Sequence, residues 1–245
     1  MDEGLWLEST EPAELLEFVQ AKATERRLRL FTAACCRALW IWMKDERSRS
    51  AVEVAERFAD GLSTEEELAA ARQAAREAAD CVTRQMTLHR QKVQEALAIG
   101  GSEEEVPFDY PAWHAAHTST NAALCATEPD ATKGAQKVLS YVDVPPGDRR
   151  LVRRRQARVV RAIFGNPFRP LAIEPTWRTP EVVSLARAAY EEWGEGDGRL
   201  DNDRLSVLAD ALEEAGATDP LLGHLRAPGI HPRGYFSLDA ILGRR

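Results

Sequence analysis

Residues 24–43 read TERRLRLFTAACCRALWIWM, and this stretch decides the fold. Leu28, Phe31, Cys35, Leu39 and Trp42 recur every three or four residues, the helical period, and Leu30, Ala34, Ala38 and Ile41 add a second apolar stripe. Thr24 suits the N-cap position. Only Arg26, Arg27, Arg29 and Arg37 require solvent or an acidic partner. A helix that is apolar nearly all round belongs at the centre of a protein. At about 1.5–3 kcal/mol for each large side chain removed from water, it supplies much of a core. The expected fold is all-α: a helical bundle around a buried central helix over 24–43, with a smaller C-terminal helical lobe.

Working outward, Thr10, Glu11 and Pro12 open an earlier helix whose apolar face is Leu15, Leu16, Phe18 and Val19, with Trp6 and Leu7 stapling it to the core. After Met43 the charged group KDERSR interrupts the pattern. Ala51, Val52, Val54, Ala55 and Phe58 then mark a third helix closed by Asp60-Gly61. Ser63 and Glu66 have capping-box spacing, and no proline or glycine occurs from Thr64 to Ile99, which predicts a helix of roughly 50 Å. Asp109 and Pro111 start the next helix, carrying Trp113, His117, Leu124 and Cys125. Val144-Pro145-Pro146-Gly147-Asp148 forbids a continuous helix. The N-terminal bundle is therefore expected over 1–143 and the C-terminal lobe over 148–245, unless both form one continuous domain. Helices are expected in that lobe at the arginine-rich stretch from Arg149, after Thr179, from Asp203, after Thr218 and near Ser237. Almost no segment alternates at period two, which leaves sheets out of the expectation.

The 245 residues are 44 % hydrophobic and 29 % charged, the balance of a folded globular protein and not of a disordered chain. A net charge of −7 argues against non-specific coating of nucleic acid but leaves room for a local basic site. Apolar runs fall short of the roughly 20 residues that span a bilayer, and the acidic start MDEGLWLEST lacks the pattern of a secretory signal. The expected location is cytoplasmic. Cys35, Cys36, Cys81 and Cys125 sit in helical patterns without disulfide spacing and read as reduced, packed thiols.

Five blocks, LRLFTAACCRALW, AVEVAERFADGL, IFGNPFRP, LADALEEAG and HLRAPGIHPRGYFSLDAILG, occur in this order. Together they resemble an uncharacterised family of bacterial proteins present as many paralogues in some large genomes. The resemblance covers both ends of the chain and implies no established activity, cofactor or catalytic residue.

Two constellations carry most of the polar chemistry. Arg149, Arg150, Arg153, Arg154, Arg155, Arg158 and Arg161 crowd one helix, with Arg150, Arg154, Arg158 and Arg161 on one face. A line of cations there either meets phosphates, meets an acidic protein surface, or is solvated and paired internally. His224, Arg226, His231, Arg233, Tyr235 and Asp239 lie within sixteen residues of one another. They serve as carbonyl caps at tight turns, as an anion or partner site, or as acid–base groups. His114 and His117 with Cys125, and the separate Cys81 and His89, lack a closing metal ligand. No phosphate loop, HExxH or CxxC is present. The leading expectation is a non-enzymatic protein-binding, adaptor or regulatory module. Its partner- or anion-binding residues would be Arg150, Arg154, Arg158, Arg161, His224, Arg226, His231 and Arg233, with no cofactor or metal. The alternative is a nucleic-acid-associated protein using Arg149 to Arg161. A third reading is a metal-dependent enzyme at His224 and His231.

Overall fold

The computed structural model describes residues 1–141, 149–192 and 198–244. The Val144 to Asp148 break lies outside them. Among the described residues the chain is all-helical: α1 (Glu3–Glu8), α2 (Pro12–Gln20), α3 (Glu25–Arg37), α4 (Glu46–Ala59), α5 (Glu65–Ala98), α6 (Tyr110–Ala126), α7 (Ala131–Val138), α8 (Arg149–Phe164), α9 (Pro180–Glu191), α10 (Asn202–Glu214), α11 (Leu221–Arg226) and α12 (Phe236–Leu242). None of these helices is long and apolar enough to cross a membrane.

The central helix α3 is shorter than its apolar pattern predicts. Thr24 caps it by accepting from the Arg27 amide, but it ends at Arg37 and residues 38–42 form turns. Ile41 and Trp42 therefore face outward instead of extending the core stripe. At this turn the Arg37 guanidinium lies over the Trp40 ring, 3.9 Å from its centroid. Arg29 and Arg37 are themselves buried. Arg29 donates to the carbonyls of Ala126 (2.9 Å) and Glu128 (3.0 Å), closing the end of α6. Arg37 forms a forked pair with Glu56 at 3.0 and 2.7 Å.

Local signals set most of the remaining ends, with small displacements. The capping box of α5 is Thr64 with Glu67, one residue beyond the expected Ser63 and Glu66. The KDERSR group holds both the break and the next start: Lys44 and Asp45 lie between the helices, and Asp45 accepts from the Arg47 amide and starts α4 at Glu46. Trp6 lies on a short helix, α1, whose six residues are too few to show a period.

Two hydrophobic cores result among the described residues. The first gathers Trp6, Leu15, Leu16, Leu28, Leu30, Phe31, Val52, Val138, Val160 and Ile163; the second gathers Val182, Tyr190, Leu205, Leu208, Leu212, Leu221, Leu238 and Ile241. Helix α8, expected in the C-terminal lobe, buries Ala157, Val159, Val160 and Ile163 in the first core. The cores consequently divide after α8 and not at 143. Its four apolar residues fit the gap beside α2 and α3, and Gly165 then reverses the chain at φ +70°.

Candidate functional site

Helix α8 is fixed on one side and charged on the other. Its apolar face is sealed in the first core, and Arg161 donates to the carbonyls of Trp6 and Ser9. Those are carbonyls at the end of α1, so Arg161 acts as a cap and not as a surface charge. Arg153 pairs with Glu11 at 3.1 Å. Arg150, Arg154 and Arg158 remain exposed along the outer face, about 6 Å apart at four-residue spacing. Leu151 lies among them and is 66 % exposed. The expected stripe of four is thus a stripe of three with an apolar residue beside it.

The C-terminal block resolves into separate contacts. Arg226 reaches Asp210 and Glu213, each at 2.6 Å, on the surface of α10. His224 stands edge-on to Phe236, and the Tyr235 hydroxyl donates to the His224 carbonyl at 2.7 Å. His231 lies buried with Nε2 at 2.9 Å from the Ala227 carbonyl. A carbonyl only accepts, so Nε2 carries the proton and the buried Nδ1, which has no partner among the described residues, is bare. Among the described residues no three His, Cys, Asp or Glu side chains converge as a metal site. His117 stacks on Trp113, and the Cys125 thiol turns to the Asn121 carbonyl. Burial pushes the Cys125 thiol up to about 12 and moves Cys35 and Cys36 upward as well.

Burial holds His231 below its ordinary value, against the pull of the Ala227 carbonyl, and lowers His224 too. The unfolded chain takes up these protons near ~6.5 while the fold resists them. Their contribution to stability is complete above about pH 6.5 and is lost as the pH falls through the lowered folded values. The urea midpoint is expected to drop between pH 7.5 and 5.5, and to drop less in His231→Gln, which keeps a donor for Ala227 without titrating. Identical pH profiles for the two proteins would contradict this assignment.

Arg233 and Asp239 belong to a different constellation, one that the sequence pattern does not reveal. Arg26 of α3 donates to Asp60 at 3.0 Å, to Asp239 at 2.6 and 3.0 Å, and to the Tyr190 hydroxyl at 2.8 Å. Tyr190 donates to Asp60 at 2.9 Å, and Arg233 donates to Asp60 at 2.8 Å. Arg244 lies over the Tyr190 ring at 4.0 Å. Burial opposes the charge on Arg26, but the Asp239 carboxylate beside it holds the guanidinium above its ordinary range. Burial also pushes the Asp239 carboxyl upward, against Arg26, and raises the Tyr190 phenol to about 12. This hub joins α3 and the end of α4 to α9 and α12, one core to the other. With Arg26, Asp60, Tyr190, Arg233 and Asp239 joined by hydrogen bonds, its geometry is that of a clamp.

Against this geometry, the chain was compared with protein-family models, curated proteins and solved structures. None of them matches.

One further surface went unread in the sequence. Between α1 and α2 lies a groove of about 680 Å³, with Met1, Leu5 and Phe18 on its apolar wall and Glu8, Glu11, Glu14 and Glu17 around it. Its sequence signal is the three-residue spacing of Glu8, Glu11, Glu14 and Glu17, from the end of α1 into α2.

Proposed function

We propose that this chain is a protein-binding module that presents the outer face of α8 to a carboxylate-rich protein surface. The observation that supports it is the placement of α8's charge. Its first turn carries Arg149 and Arg150 and no acidic residue, where the helix dipole already supplies positive charge. A local arrangement that disfavours the isolated helix is expected where function demands it. Arg154 and Arg158, further along, have no ion pair among the described residues. Leu151, one turn before Arg154 and 66 % exposed, adds an apolar group to theirs, the mixture that protein interfaces favour.

Phosphates would engage the same three arginines, so the deciding experiment separates the two partners. Wild type and an Arg154→Glu/Arg158→Glu variant serve as bait in lysate of the native cell, with and without nuclease. The expected result is a protein that survives nuclease and is lost in the variant. Loss of the partner on nuclease treatment, with binding that weakens steeply in salt, points to nucleic acid instead. Equal recovery by both baits removes α8 from the binding surface.

A further inference from the structure

We propose that the carboxylate-rich surface met by α8 is the α1–α2 groove of a second copy of this chain, the two copies pairing reciprocally. The inference rests on reading α8 as a protein-binding face and names the partner.

The two patches are complementary in both charge and apolar content. The groove offers Leu5, 58 % exposed, and Phe18, 39 % exposed, as apolar wall. Phe18 stacks on Phe168 at 5.5 Å between ring centroids, which holds that wall in place. Glu8, Glu14 and Glu17 border it and have no ion pair among the described residues. The outer face of α8 inverts this pattern, with the exposed Leu151 beside the line of Arg150, Arg154 and Arg158.

The two patches are also neighbours. Glu11 lines the groove and pairs with Arg153, and Arg161 caps the end of α1. A basic face beside an acidic groove is a self-complementary surface. A two-fold axis passing near the Arg153–Glu11 contact lays each α8 over the other copy's groove and each groove beneath the other α8. Such an isologous contact closes on itself and leaves neither patch uncovered. Because exposed charges supply much of the attraction, the pairing is expected to weaken in salt.

Sedimentation velocity over a range of protein concentrations tests this with four samples: wild type, Arg154→Glu/Arg158→Glu, Glu14→Arg/Glu17→Arg, and the two variants mixed. Wild type is expected to dimerise at low salt, with dissociation at least about tenfold stronger at 0.5 M salt. Each variant alone is expected to be monomeric. The mixture is expected to dimerise, because each reversed α8 then meets a reversed groove, and this rescue also shows that both variants fold. A monomeric wild type at every concentration, or a dimer indifferent to both variants, overturns the proposal. If wild type is monomeric while the Arg154→Glu/Arg158→Glu bait still loses a nuclease-resistant partner, the second copy is wrong and the protein-binding reading stands. If that bait loses nothing either, both fall.

Discussion

Arg26→Ala is expected to lower the unfolding free energy by about 3–5 kcal/mol, the range for removing one partner of a buried ion pair. The loss is large because of what stays behind. Asp239 has a side chain with 0 % exposure and takes two hydrogen bonds from Arg26. Without them its charge is left inside the protein with Arg27 as a more distant cation. Tyr190 loses a donor at the same time. Arg26→Lys is expected to fall between wild type and alanine, because an ammonium keeps the charge but lacks the planar fork that reaches three partners at once. An Arg26→Met/Asp239→Leu double variant is expected to be more stable than Arg26→Ala, since it removes the stranded charge together with its partner. Urea unfolding of these proteins, with Arg26→Met and Asp239→Leu added to complete a double-mutant cycle, measures the coupling. A cost below about 1 kcal/mol for Arg26→Ala would show that the hub is solvated and the clamp slack.

The second large effect is expected at Gly234, where the C-terminal lobe touches the first core. Its φ is +80°, and a β-carbon added there would lie 2.6 Å from Leu30 Cδ1 and 3.2 Å from Leu30 Cβ. Leu30 sits on α3 and is 1 % exposed, so it has nowhere to retreat. Gly234→Ala therefore combines about 1–2 kcal/mol for the left-handed backbone with about 1–3 kcal/mol of overpacking. Gly216→Ala is the control, having φ +88° and nothing within 4 Å of the added carbon. It should carry the backbone cost alone. Equal midpoint shifts in urea for the two variants would mean that Gly234 is not pressed against Leu30.

These sites also show what a sequence pattern conveys. Periodicity reports which face of a helix is buried, and by that signal the all-α class and the buried stripe of α3 through Leu28, Phe31 and Cys35 were legible. It does not report where an apolar run leaves the helix, so the stretch through Trp40 and Met43 reads as helix although the chain turns after Arg37. Nor does it say which charge meets which. Asp60 reads as a helix terminator and is in fact the acceptor shared by Arg26, Tyr190 and Arg233. Arg26 and Asp239 are 213 positions apart, far beyond the reach of helical spacing. Arg161 illustrates the same limit over a shorter span in space. It shares the stripe of Arg154 and Arg158 by angle, and only the folded position of α1 turns it into a cap.

The span of the clamp also bears on how the protein is made. A ribosome delivers this chain from its N-terminus, and the first core is complete once Ile163 has emerged. Arg26 and Asp60 can then pair with each other, but the other three hydrogen bonds of Arg26 wait for Tyr190 and Asp239. The nascent molecule thus carries a half-satisfied guanidinium on the face where the second core will dock. Water fills that role until α12 arrives, so docking trades hydration for the buried carboxylate in a late step. Chains cut short before α12 keep this wet, charged face open, and a protease or chaperone meets them in a form the finished protein does not display.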